Sequence, residues 1–131
     1  MTLKELYELA KALMFEKSSS KDYDNYYIPW VNVLLSENFD IENSLLEAEG
    51  EDPLDEIPYI DSSVEGFDPS NVTMPYHDRV NREILAYGLA AHFFIDDDLS
   101  KYDIFYRNYQ NARMAYMRGI EESIEDVYGG Y

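Results

Sequence analysis

The chain has 131 residues, about the size of one domain, and its 46% apolar content with thirteen tyrosines is enough to form one hydrophobic core. It has no cysteine, which excludes disulfides and thiolate zinc sites, and no apolar run long enough to cross a membrane. Its first residues do not resemble a secretion signal, and a net charge of −17 disfavours binding to nucleic acid phosphates.

The acidic residues are unevenly distributed along the chain. Between Lys21 and Arg79 there is no lysine or arginine, while fifteen aspartates and glutamates lie there. A solvated acidic surface is the ordinary interpretation of such a run. The functional alternatives are a site for a basic partner, a surface that imitates DNA, and a channel wall that DNA passes without binding.

Two helices are predicted in the first part of the chain. The first starts at Thr2, which forms a T-x-x-E capping box with Glu5, and ends near Glu16. The second starts around residues 22–24 and has apolar residues at helical spacing as far as Leu45. Because proline removes a backbone donor and clashes with the preceding turn, we expect this helix to start properly near Pro29 or to kink there.

A long acidic loop is predicted from residue 49 to residue 74, where the helical period disappears and three prolines occur. Loops of this length are usually functional arms or disordered segments. The short extended pieces at 57–60 and 72–74 are expected to pair with another segment, for which a neighbouring subunit is one candidate.

The third helix is predicted from Pro75 or Tyr76 to about Ile95, with an apolar face wide enough for a central position in a bundle. Glycine inside a helix costs roughly 1 kcal/mol relative to alanine. This cost is understandable if a neighbouring helix packs closely over Gly88 and Ala91, which we therefore predict to be helix-packing residues.

The last helix is predicted from Leu99 or Ser100 to about Val127 and carries a stripe of tyrosines with arginines beside them. Stacking on nucleic acid bases is one interpretation, but the net charge favours a protein interface or the edge of the core. Residues 127–131 are predicted to be a flexible tail, which either frays or becomes ordered on a basic partner. The predicted subunit or partner contacts are Tyr102, Tyr106, Tyr109, Arg113, Tyr116, Tyr128 and Tyr131.

The run Asp96-Asp97-Asp98 follows His92 by one helical turn, an arrangement that permits a shared metal ion. The favoured interpretation is that Asp97 or Asp98 caps the last helix, while the other aspartates are solvated. The sequence has no nucleophile elbow, phosphate-binding loop, H-E-x-x-H motif or Cys/His pair. We therefore expect no enzyme, no catalytic residue, no metal and no cofactor.

Together these elements predict an all-α, four-helix bundle-like single domain over residues 1–131. Their order, over most of the chain, resembles that of the small head–tail connector (adaptor) proteins of tailed bacteriophages and prophages. The resemblance includes the amphipathic first helix and the proline-containing second helix. The short sequence segments that also support it are Asp55-Glu56-Ile57-Pro58-Tyr59, Pro75-Tyr76, Tyr87-Gly88-Leu89-Ala90-Ala91, Asp96-Asp97-Asp98 and Tyr106-Arg107-Asn108-Tyr109.

The resemblance implies a structural virion protein. Its expected partners are further copies of itself, in a ring of about twelve subunits, the portal protein, and a tail-completion or stopper protein. DNA would pass through the ring without specific binding, and no membrane would be involved. The expected location is the head–tail junction of the virion, and the host cytoplasm during assembly. The alternative is an acidic inhibitor that imitates DNA to occupy a DNA-binding protein.

Overall fold

The computed structural model describes the backbone of residues 1–129 and the side chains of residues 1–119. The described backbone is mostly helical, and its only extended pairing is an isolated bridge between Thr2 and Thr73. No helix in the described part is both long and apolar enough to span a membrane. The all-α prediction is confirmed. The α-helices are α1 (Leu3–Leu13), α2 (Tyr27–Glu37), α3 (Phe39–Ala48), α4 (Asp78–Val80), α5 (Ala86–Phe94) and α6 (Leu99–Gly129).

Helix α1 begins with the predicted capping box. The Glu5 backbone N–H donates to Thr2 Oγ1 at 3.1 Å, and the Thr2 backbone N–H donates to Glu5 Oε1 at 3.2 Å. The helix buries Leu3, Leu6 and Ala10 against the centre of the molecule. It ends at Leu13, three residues before the predicted end.

The second predicted helix is in fact two helices. Pro29 lies in the first turn of α2, as expected, but α2 ends at Glu37, and Asn38 interrupts the helical backbone with φ −110° and ψ 11°. The fully buried Asn38 side chain donates to the Leu34 carbonyl at 2.8 Å and to Tyr109 Oη at 2.9 Å. Because the amide is buried and bonded to Tyr109 of α6, a tertiary contact stabilises the interruption between α2 and α3.

The central helix consists of α4, a π-helical segment at Asn81–Leu85, and α5. It starts at Asp78, two or three residues later than predicted, and ends at Phe94. Gly88 and Ala91 are buried within it. A Cβ atom on Gly88 would lie only 2.6 Å from Leu34 Cδ2 and 3.0 Å from the Tyr109 ring. The predicted close approach at Gly88 is thus confirmed, and the neighbours are α2 and α6.

The segment between α3 and α4 lies against its own chain. Asn43 exchanges two hydrogen bonds with the Leu54 backbone, and Asn32 exchanges two with the Ile60 backbone. At its far end, the Val72 carbonyl accepts from the Leu3 N–H at 2.8 Å. The extended piece at 72–74 therefore pairs with the chain's own start, where a neighbouring subunit had been one candidate. The segment is therefore attached to its own chain at several points and is not a free arm.

Candidate interaction surface

Helix α6 has an inner and an outer face within its described side chains. The inner face packs on the core through residues at helical spacing, and Tyr109 is the most buried of them, with no exposed surface. The apolar and aromatic residues of this face are Tyr102, Phe105, Tyr106, Tyr109, Ala112 and Tyr116. The tyrosine stripe thus faces the chain's own core.

Tyr109 lies in a buried polar cluster. Its hydroxyl accepts from Asn38 Nδ2 at 2.9 Å and donates to Glu37 Oε1 at 3.2 Å. Burial is the main cause that raises the pKa of Tyr109, so the phenol stays protonated near neutral pH. The prediction that Tyr109 contacts another protein is therefore wrong for this conformation, because its whole side chain is inside the molecule.

Arg113 also uses its donors within the chain. Its Nε donates to Asn38 Oδ1, its Nη1 to Gln110 Oε1 and its Nη2 to the Glu37 carbonyl, each at 3.0 Å. The guanidinium thereby satisfies a carbonyl at the C-terminal end of α2, where a positive charge is favourable. These contacts join α6 to α2, while the partly exposed Arg113 stays a predicted partner contact.

The remaining predicted contact residues are partly exposed or outside the described side chains. Tyr116 donates to Glu83 Oε2 at 2.6 Å, and burial, followed by this bond, raises the pKa of Tyr116 to about 12. Tyr102 and Tyr106 stack on each other with centroids 5.4 Å apart. Their contact with a partner stays a prediction. Tyr128 lies on the helical backbone but outside the described side chains, and Tyr131 lies outside the described residues altogether.

The outer face of α6 is the surface that sequence reasoning missed. From Ile104 to Ile120 the sequence has three arginines and no acidic residue, the opposite of the charge of the whole chain. Ile104 is 54% exposed and Met114 is 53% exposed, and Arg107 between them is exposed without an ion pair among the described residues. A surface of apolar and basic side chains on a strongly acidic protein is suited to an acidic partner surface. The acid-free run was the signal that could have found it.

Of the acidic triplet, Asp98 caps α6. Its Oδ1 accepts from the Lys101 N–H at 3.2 Å, and its carbonyl accepts from the Tyr102 N–H at 2.9 Å. This confirms the capping interpretation. Asp96 and Asp97 are exposed beside His92, and among the described residues no group of three or more His, Cys, Asp or Glu side chains is suited to a metal ion.

A second charged cluster, also missed, joins α3 to the start of the central helix. The Nδ1 atom of His77 lies 2.7 Å from Glu42 Oε2, and its Nε2 lies 2.8 Å from Glu49 Oε1. The Glu42 side chain is only 2% exposed and also accepts from the His77 backbone N–H at 2.8 Å. The bond to Glu49, and next the bond to Glu42, raises the pKa of His77. An imidazole between two carboxylates must carry both ring protons to donate to both, so this cluster favours the imidazolium.

In comparisons with known proteins, no family model matches the chain, no curated protein matches its sequence, and no solved structure matches its fold.

Proposed function

We propose that the chain is a structural subunit that assembles into a ring at the head–tail junction of a tailed bacteriophage or prophage, where it connects the portal to the tail. The biological setting comes from the resemblance in the order of its sequence elements. The observation that carries the self-assembly is the division of charge within one chain. A base-free acidic stretch lies between Lys21 and Arg79, and an acid-free stretch with three arginines covers residues 104–120 of α6.

Two unlike, complementary surfaces on one chain favour a head-to-tail contact between copies. Such a heterologous contact generates a ring if the rotation between subunits closes. The outer face of α6 supplies apolar side chains, Ile104 and Met114, together with Arg107. Apolar contact area gives an interface its affinity, while complementary charge selects and orients the partner.

The remaining acidic surface suits a channel that DNA must pass. Phosphates are repelled by a carboxylate-rich wall, so DNA slides past it without binding. In this role the chain needs no catalytic residue and no cofactor. Its expected partners are other copies of itself, the portal protein and a tail-completion or stopper protein.

A charge reversal on the outer face of α6 tests the self-assembly. Arg107→Glu is expected to weaken self-association roughly tenfold, or about 1.4 kcal/mol, because it places like charge against an acidic neighbour. Lys17→Glu is the matched control, since Lys17 is also exposed and its reversal changes the net charge equally. Sedimentation velocity over a concentration series measures both. Equal weakening by the two variants would mean that general repulsion alone, and no specific contact by α6, governs association.

The acidic stretch also supports a second candidate function, imitation of DNA to occupy a basic DNA-binding protein. Fifteen carboxylates with no intervening lysine or arginine between Lys21 and Arg79 favour it. The two functions differ in their response to Arg107→Glu, which weakens ring assembly but leaves the binding of a DNA mimic unchanged. A DNA mimic instead loses binding when exposed acids such as Asp55 and Glu56 become amides. Pull-downs with basic nucleases at increasing salt measure this loss of binding.

A further inference from the structure

A cleft of about 430 Å³ lies between the segment before α2 and the C-terminal end of α5. Its walls are aromatic: Tyr23 stacks on Phe93 with centroids 4.3 Å apart, and Trp30 meets His92 edge-to-face at 4.2 Å. Tyr26 also lines it and is 61% exposed. These rings are thus partly held by packing and partly open to solvent, as in a recognition site for a flat group.

Three exposed carboxylates line the same cleft, those of Asp22, Asp96 and Asp97. Its described lining contains no lysine or arginine to neutralise them. The negative end of the α5 dipole also lies here, because α5 ends at Phe94. Aromatic faces, carboxylates and a helix C-terminus all attract a cation, and here they converge on one cleft.

His92 supplies a further polar group. Its Nδ1 atom is buried and has no hydrogen-bond partner among the described residues. Burial lowers the pKa of His92, so the ring is neutral near pH 7 and one of its two nitrogens is an acceptor. A buried polar atom without a partner is rare in proteins. The neutral ring, which lines the cleft, adds no positive charge to it.

We propose that this cleft binds an arginine side chain from the outer face of α6 of a second copy, with Arg107 as the residue inserted. This deepens the proposed ring assembly, on which the choice of a second copy rests. Arginine fits better than lysine because its planar guanidinium stacks on aromatic rings while its N–H groups pair with carboxylates. Arg107 is exposed, forms no ion pair within the described residues, and belongs to the acid-free run of residues 104–120.

The cleft itself is tested without any assembly. Trp30 is the only tryptophan of the chain, so its fluorescence reports directly on the cleft. N-acetyl-arginine amide is expected to change this fluorescence along a saturable curve with Kd on the order of millimolar. The amide of N-acetyl-citrulline, which has nearly the same shape without the charge, is expected to leave it unchanged. An unsaturated response, or an equal response to both compounds, overturns the cleft as an arginine site.

Substitution at the rim locates the binding. Asp97→Asn is expected to weaken the binding of N-acetyl-arginine amide by about threefold to fivefold, an effect in the range of an exposed ion pair. Asp55→Asn, which removes an exposed carboxylate outside the cleft, is the matched control and is expected to have no effect. Both residues are exposed, so neither change threatens folding. Equal weakening by the two variants would place the arginine elsewhere on the surface.

The occupant is tested by exchanging charges between copies. Arg107→Glu and Asp97→Arg are each expected to weaken self-association by roughly tenfold, and the combination in one chain is expected to restore most of it. A double variant no better than the single ones overturns Arg107 as the occupant. A wild-type chain that never self-associates contradicts the ring, while the Trp30 titration still decides whether the cleft recognises arginine.

Discussion

At the scale of single residues, Gly88 is the position where the bundle tolerates least change. Gly88→Ala adds a methyl group 2.6 Å from Leu34 Cδ2 and 3.0 Å from the Tyr109 ring, both fully buried. Overpacking of this kind costs typically 1–3 kcal/mol, against a helix-propensity gain of about 1 kcal/mol. We expect a net loss of up to about 2 kcal/mol in the free energy of unfolding, measured by urea denaturation.

Gly119 is the matched control, because it is also helical but a Cβ atom added there would meet no described atom of another element within 4 Å. Gly119→Ala is expected to leave stability unchanged or to raise it by up to about 1 kcal/mol. If Gly88→Ala is as well tolerated as Gly119→Ala, the close approach of α2 and α6 at Gly88 is contradicted.

The Tyr109 hydroxyl is the second residue-scale test. Tyr109→Phe removes the group that links Asn38 and Glu37 across the α2–α6 contact. We expect a loss of about 1–2 kcal/mol, since a buried donor loses a partner. Tyr59→Phe removes a hydroxyl from a side chain that is 76% exposed and should change stability negligibly. Thermal unfolding of both variants would show equal shifts if the buried cluster contributed nothing.

These two residues also show how far the sequence could predict the site. Gly88 was identifiable because glycine within a long apolar helix requires a packing reason. The stripe of Tyr102, Tyr109 and Tyr116 was recognised as one helix face, but periodicity alone does not say whether a face meets its own core or another protein. Only the tertiary contacts with Asn38 and Gly88 settle that question for Tyr109.

At the scale of elements, the boundaries that sequence reasoning missed are those set by long-range contacts. The capping box of α1 and the position of Pro29 are local features, and both were predicted. The break at Asn38 depends on a residue 71 positions away, Tyr109, and no local pattern contains it. The anchoring of the acidic segment by Asn32 and Asn43 likewise joins residues 28 and 11 positions apart.

The cluster of His77, Glu42 and Glu49 predicts a pH dependence of stability. Because the folded-state pKa of His77 is raised, its contribution is fully present below the unfolded pKa of about 6.5 and is lost as pH rises through the folded value. His92 acts in the opposite direction. Because its pKa is lower in the folded chain than in the unfolded chain, the fold loses stability as pH falls below the unfolded-state pKa. Wild-type behaviour alone would therefore mix the two effects.

Comparison with His77→Gln separates them, since glutamine keeps a neutral donor and leaves His92 in place. The wild type is expected to exceed this variant in unfolding free energy by more at pH 6 than at pH 8.5, as measured by urea denaturation at each pH. A difference that does not change between these pH values would mean that His77 does not bind its extra proton in the folded chain.

At the scale of the whole molecule, the distribution of charge links the fold to the proposed role. The inner face of α6 completes the core, which leaves the outer side of its acid-free run, residues 104–120, for another surface. The acidic character of the chain is evident from its composition. The acid-free run of residues 104–120 could be interpreted as a surface only once the structure showed which face of α6 is exposed. The aromatic cleft also required the fold, because residues 22–30 and 92–97 meet there.

Electron microscopy of the purified chain, alone and mixed with a candidate portal ring, tests the proposed ring assembly. We expect closed rings with rotational symmetry that stack coaxially on the portal, and fewer rings with Arg107→Glu than with Lys17→Glu. A chain that stays monomeric at every concentration and leaves the portal uncovered would contradict it.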